Sequence, residues 1–571
     1  MARKIIVAAG FLLLNVPLPT PFLSAAEKAP SNASSGKVTG KKLTVADNTH
    51  DNSEQLIGKL AGLALVRDHA AKVKAGRISG LFVKDLPLLE TEEFRKKMSV
   101  YIGKPLMRRD LIGMMKEIIN YYRSKGRPIV DVITPEQDLT EGVLELIVLE
   151  GRIGRIRVEG NKWFNSNRLM EQIHARRGDE VFAPQIMKDL DWINRNPFRE
   201  VDLMYVKGGA LGQTDLVLQT EDRFPLRVYG GYENSGTALT GDDRYLAGFT
   251  WGNVFDWDGQ FNYQFTGSHD LKGLRAHSAS YTQPLPWRHV LTLTASYADT
   301  KASLPDPFGL KGFSWQTGAR YEIPLPESES YRHSVTVGTD FKQSNNNLLF
   351  GGEQVFGTTT DLAQLSLGYD GGKRDSFGET NLHVTAYYSP GNLSHHNRDD
   401  VYDQSRFQAK AKYAYQKLDV NRVTRLPWDC SFINHLTYQH SNANLLPSEQ
   451  LGFGGYSSIR GYDERDVNGD EGYILSNELR APPFSIEKLF QVRKTNDQLQ
   501  FLAFLDYGVA KNHTLLPDEK TNIVLMGAGP GMRYSIVRFL AIRADYGFQL
   551  RETGFGRRHP SRIHVGITLS Y

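Results

Sequence analysis

Residues 226–571 alternate apolar and polar side chains almost throughout, yet the mature chain holds no run of about 20 apolar residues. That combination excludes a helical membrane protein. It leaves two ways to bury one face of each strand: a soluble sandwich, or a closed barrel whose outer face meets lipid. The last segment alternates most cleanly. Ile563, Val565, Ile567, Leu569 and Tyr571 point one way, and His564, Gly566, Thr568 and Ser570 the other. Just upstream, Leu540, Ile542, Ala544, Tyr546 and Phe548 oppose Ala541, Arg543, Asp545, Gly547 and Gln549. Charge and small residues on one face, with aromatics on the other, fit a barrel with a wet interior. All but four of the 26 tyrosines lie after residue 225, as aromatic girdles require.

Sixteen such segments are expected. They begin near Leu226, Tyr245, Asp258, Leu274, His289, Ser314, Tyr331, Thr360, Gly378, Phe407, Trp428, Gly472, Gln498, Leu525, Leu540 and Ser561. An even number suits a bacterial closed sheet with both ends on one side. Connections alternate tight (Pro284–Arg288, Ser535–Arg538) and long, which makes His440–Glu471 the sixth outer loop.

The first half reads differently. Arg3 and Lys4, the apolar stretch Ile5–Leu14 and the small residues Ser24-Ala25-Ala26 predict a signal peptide over 1–26, and hence an exported protein. Residues 27–52 are a polar tether without periodicity. Over Ser53–Lys74, Leu56, Ile57, Leu60, Leu63 and Ala64 recur at helical spacing and predict an amphipathic helix. Residues 77–151 then follow the order β-α-α-β-β, from the strand Ile78–Val83 to the strand Val143–Leu149, and residues 152–225 repeat it.

The balance of 68 basic against 64 acidic residues is near neutral and argues against a nucleic-acid binder. One cysteine, Cys430, allows neither an internal disulfide nor a Cys-based zinc site. His395-His396 near Asp399 and Asp400 lacks a third ligand at helical spacing. The run Gly527-Ala528-Gly529-Pro530-Gly531 precedes a strand, so it fails the phosphate-loop context and reads as a bend. No nucleophile constellation stands out. The expectation is a protein without enzymatic activity, cofactor or metal.

Several local strings stand out: Pro135-Glu136-Gln137-Asp138-Leu139, Gly142, Glu150-Gly151-Arg152-Ile153, Asn194-Arg195-Asn196-Pro197-Phe198 and Glu233-Asn234-Ser235-Gly236-Thr237. The most specific is Ser458-Ile459-Arg460-Gly461-Tyr462 in the long loop, with Phe504-Leu505-Asp506-Tyr507-Gly508 as its counterpart. Together with the repeat-plus-barrel plan, they resemble the outer-membrane transporters of two-partner secretion, the family that secretes hemolysins and filamentous hemagglutinin. That family belongs to the superfamily of POTRA domains followed by a barrel. The resemblance implies α+β POTRA repeats at 77–151 and 152–225. It implies a 16-stranded antiparallel transmembrane barrel over 226–571, in the bacterial outer membrane, with the POTRA domains in the periplasm.

It further implies that loop 440–471 folds into the lumen and that Arg460 pairs with Asp506 on the inner wall. Alternation on that strand leaves open which face is inside, since Leu502 and Phe504 share the parity of Asp506 while Ala503 and Leu505 share the other. Helix 53–74, carried by Leu56, Leu60 and Leu63, resembles the family's pore plug, although its link to the first POTRA unit is short. Tyr571 matches the terminal aromatic offered to the barrel-assembly machinery. The implied partner is a large exported protein of adhesin or cytolysin class, moved unfolded without ATP. An assembly insertase, with more POTRA units, and a passive porin, with none, are the alternatives.

Overall fold

The computed structural model describes residues 54–67, 78–237, 239–303, 308–328, 330–350, 353–487, 496–516, 520–554 and 560–571. The expected signal peptide and tether lie outside these residues. The chain divides into a unit ending at Phe224 and a unit running from Pro225 to Tyr571.

The first unit holds two α+β domains. The first comprises β1 (Gln55–Ile57), β2 (Gly62–Val66), β3 (Gly80–Lys84), α1 (Glu92–Ser99), β4 (Leu106–Met107), α2 (Arg108–Ser124), β5 (Val130–Ile133) and β6 (Val143–Glu150). Its sheet runs β3-β2-β6-β5. Thr91 caps α1, its hydroxyl accepting from Phe94 N at 3.3 Å. Helix α2 buries Met114, Ile118, Tyr121 and Tyr122 in a core shared with Leu63, Leu65, Leu144 and Val148.

The expected helix over 53–74 is corrected here. Its described part forms β1 and β2, and residues 68–74 lie outside the described residues. Strand β2 runs parallel to both β3 and β6, and all five of its residues are buried. A strand covered on both faces reads as a continuous apolar run, which periodicity cannot tell from a buried helix. Leu60 and Leu63 are fully buried and Leu56 packs against the same core, so these three residues belong to the first domain and are not a plug.

The second domain comprises β7 (Arg152–Glu159), α3 (Ser166–Glu171), α4 (Ala183–Ile193), β8 (Arg199–Lys207) and β9 (Gln213–Asp222), with sheet order β7-β9-β8. That order matches β2-β6-β5 of the first domain. The strand that opens the first copy is therefore β2, and β3 is an added edge. The strings of the resemblance act as fasteners here. Gln137 exchanges hydrogen bonds with the backbone of Glu145 at 2.6 and 2.8 Å. Asn194 does the same with Val201 at 2.8 and 3.0 Å. Between the domains, Glu150 accepts from Tyr122 at 2.9 Å and pairs with Arg67, while Glu180 faces Arg67, Arg127 and Arg152. Burial, and then the Glu150 carboxylate, push the Tyr122 phenol well above its ordinary pKa, so it stays a donor.

The second unit is a closed antiparallel barrel of sixteen strands. They are β10 (Leu226–Glu233), β11 (Arg244–Val254), β12 (Gly259–Gly267), β13 (Leu274–Pro284), β14 (Val290–Ser303), β15 (Phe308–Pro324), β16 (Tyr331–Phe350), β17 (Glu353–Asp375), β18 (Gly378–Ser389), β19 (Tyr413–Arg425) and β20 (Ser431–Ser441), then β23 (Glu471–Arg480), β24 (Asp497–Lys511), β25 (Ile523–Ile536), β26 (Leu540–Gln549) and β27 (Ser561–Ser570). All sixteen expected segments are strands, but the sixth and eighth begin at Phe308 and Glu353, well ahead of the expected Ser314 and Thr360. The tenth begins at Tyr413 and not near Phe407, because the fifth outer loop forms α5 (Asp399–Ser405) and its alternating Ala409 and Ala411 pack into a loop core around Tyr402. The sixth outer loop, between β20 and β23, carries its own hairpin of β21 (Leu451–Phe453) and β22 (Val467–Gly469).

The barrel closes where β10 meets β27 over five residue pairs, against eight between β10 and β11. Asn234 extends this short seam. Its Oδ1 accepts from Val565 N and its Nδ2 donates to Ile563 O, both at 2.7 Å. Asn234→Ala strands both backbone groups, so it is expected to cost about 1–3 kcal/mol. Heat-modified gel mobility is expected to show the barrel opening at lower temperature.

Candidate functional site in the barrel lumen

The site is the sixth loop seated against the inner wall. On β24, Leu502, Phe504, Asp506, Gly508 and Ala510 are buried, whereas Phe501 and Leu505 are 50% and 42% exposed. Asp506 therefore faces inward. The inward parity carries apolar residues because the loop covers them: Leu451, Phe453, Ile459, Tyr462 and Val467 pack with Ile474, Ala510 and Leu525 of the wall.

Arg460 ends in this enclosure. Its Nε and Nη2 donate to the two oxygens of Asp506 at 2.7 and 2.8 Å, and its backbone N–H reaches Asp506 Oδ2 at 3.1 Å. Its Nη1 donates to Glu478 on β23 at 2.6 Å and lies 3.8 Å from Asp545 on β26. The guanidinium sits 3.6 Å above the Phe504 ring. Ser476 orients Asp506 with a 2.6 Å hydrogen bond. Arg460 is 3% exposed and Asp506 not at all, so this is a desolvated, bidentate pair with its remaining valences met.

Glycines make the close approach possible. Gly461 has φ +99°, which a side chain rarely adopts, and its N–H donates to His564 Nε2 at 3.1 Å. A Cβ on Gly508 would meet Ile459 at 2.4 Å, and one on Gly527 would lie 1.9 Å from the Arg460 carbonyl oxygen. The glycine run of β25, expected to mark a bend, is thus part of the seat under the loop. Tyr462 donates to Met526 O at 3.0 Å and accepts from Met526 N at 3.1 Å. The structure brings Ile459, Arg460, Gly461, Tyr462, Phe504, Asp506 and Gly508 together. Tyr571 stands apart, its side chain 86% exposed and its backbone paired with Val228 of the first strand.

Sequence reasoning missed the clasp at the loop's end. Arg406 of the fifth loop grips Asp470 at 2.7 and 2.9 Å, and Asp470 also accepts from His513 N of the seventh loop at 3.0 Å. Its partners lie far away in sequence, so no local pattern marks it.

An α+β repeat preceding a sixteen-stranded barrel, with an arginine-tipped loop locked inside, defines a POTRA-type outer-membrane barrel. The haemolysin secretion/activation protein ShlB/FhaC/HecB family matches residues 212–534, and the ShlB-type POTRA domain matches 77–151. The chain belongs to this family of two-partner secretion transporters. It resides in the outer membrane, with its POTRA domains in the periplasm, and moves an exported partner protein across that membrane.

The heme/hemopexin transporter protein HuxB of Haemophilus influenzae is 23% identical over 476 residues, 80% of each chain. The outer membrane transporter CdiB of Dickeya dadantii is 24% identical over 438 residues, 73% of each. Among solved structures, CdiB from Escherichia coli superposes with a TM-score of 0.68 at 18% identity, covering 92% of this chain and 93% of that one. BamA from Haemophilus ducreyi lacking POTRA domains 1–3 gives 0.53 at 15% identity, covering 91% and 100%. These two likenesses establish the shared fold.

Proposed function

We propose that the partner, a large exoprotein of the adhesin or cytolysin class, is taken up unfolded at a POTRA sheet edge and passes through the lumen as the sixth loop moves aside. The observation that carries this reading is the loop itself. It occupies the bore and is held there by charged contacts, which water can replace at little cost when the loop leaves. No nucleotide is needed if the partner folds outside, because a folded product cannot slip back. Tyr571, outward at the end of the closing strand, is the residue we assign to recognition by the barrel-assembly machinery. The aromatic outer face is the surface for lipid.

Strand β8 is the favoured docking edge. The N–H and C=O of Val201 both bond Asn194, so they point away from β9. By alternation, Leu203, Tyr205 and Lys207 direct theirs to the same side. Met204 and Val206, about two-fifths exposed, stand beside that edge. An extended segment could add a strand there through main-chain hydrogen bonds. Tyr205→Pro removes one outward N–H without touching the β8–β9 ladder, and Tyr205→Ala loses the side chain alone. Co-expressed with its partner, the proline variant is expected to secrete several-fold less than the alanine variant. Equal secretion by the two would move the docking edge elsewhere.

A further inference from the structure

Residue Glu449 sits eleven positions before Arg460, in the same loop. It is 4% exposed. Its Oε1 accepts from Lys342 Nζ of β16 at 2.7 Å, and its Oε2 from Tyr415 of β19 at 2.9 Å and Gln364 of β17 at 3.1 Å. Its carbonyl accepts from Gln439 of β20 at 3.0 Å. Three strands of the wall thus converge on one carboxylate carried by the loop. In the ring of sixteen, Lys342, Gln364 and Tyr415 stand on the seventh, eighth and tenth strands, and the carboxylates that Arg460 bonds, Glu478 and Asp506, on the twelfth and thirteenth. The two sets share no strand.

We propose that Glu449 is a second anchor of the sixth loop, and that the pore opens fully only when Glu449 and Arg460 have both let go. The two anchors carry opposite charge: the loop presents a cation to carboxylates of β23 and β24, and a carboxylate to Lys342 of β16. Loss of the Arg460 contacts frees the tip while the base stays moored at Glu449, so the tip swings about that mooring. An acidic stretch of a passing chain can compete for Lys342, and a basic stretch for Asp506 and Glu478. Neither alone undoes both ends.

This rests on the loop being the gate, and the test separates the two claims. The purified full-length chain is placed in planar bilayers, and the fraction of time in a conducting state is measured. The variants are Arg460→Ala, Glu449→Gln, Lys342→Met, the Arg460→Ala/Glu449→Gln pair and the charge exchange Lys342→Glu/Glu449→Lys. Each single variant is expected to raise that fraction about tenfold, as loss of one buried ionic contact allows. The Arg460/Glu449 pair is expected to exceed the product of its singles and to hold long openings. The charge exchange is expected to return toward the quiet parent, a recovery that mere damage to packing would not show. If Arg460→Ala opens the channel but Glu449→Gln and Lys342→Met stay as quiet as the parent, the second anchor is wrong and the gate stands. A pair no more active than Arg460→Ala alone also overturns it. If no variant opens, the gate itself fails.

Discussion

Arg460→Ala is expected to cut secretion of the partner at least about tenfold while the barrel inserts and resists heat as before. The substitution leaves Asp506 fully buried, with its Ser476 hydrogen bond but without the cation that neutralised it. Removing one member of a buried pair costs about 3–5 kcal/mol, less where lumen water reaches the orphaned charge. The strand ladders around Asp506 are unaffected, because β24 pairs with β23 and β25 along its length. The penalty therefore falls on the docked state of the loop. An undocked tip obstructs the bore at no fixed position, so passage of a chain suffers even as small ions leak. Secreted partner in the medium, together with gel mobility of the barrel before and after heating, checks both halves. Normal secretion would remove the loop pair from the mechanism.

Gly527→Val is expected to reproduce that phenotype with every charge still in place. A Cβ at 527 would lie 1.9 Å from the Arg460 carbonyl oxygen, and that oxygen belongs to backbone, which cannot rotate away. Gly527 sits in the β25 ladder opposite Asp506, where valine is a good strand former. The substitution therefore leaves the wall intact and lifts the loop from its seat. Overpacking of this kind costs about 1–3 kcal/mol, so the secretion defect is expected to be smaller than that of Arg460→Ala. Adding Gly527→Val to Arg460→Ala should change little further, because both act on the same docked state. A full additional loss in the double variant would show that Gly527 acts elsewhere.

The barrel was legible because alternation is a local property that each strand displays for itself. The inward parity of β24 was not, because Leu502 and Phe504 face a lumen filled by the loop and so look lipid-facing. The strand β2 was misread for a related reason: buried on both faces, Gly62–Val66 shows neither the period of a strand nor polar residues to break a helix. At the site, Arg460 and Asp506 could be paired because their strings resemble a family. Glu449 and Lys342 lie 107 residues apart in strings that carry no such mark, and only the closed barrel brings them together.

The transport cycle turns on the partner's route through the bore. On β20, Gln439 reaches the sixth loop, so His435 shares its inward parity and Leu436 points outward. A photoreactive residue placed at each position, in cells secreting the partner, compares the two faces directly. The prediction is partner cross-linked from position 435 and none from 436. Cross-links from 436 alone, or none from 435 while secretion continues, would contradict passage through the lumen.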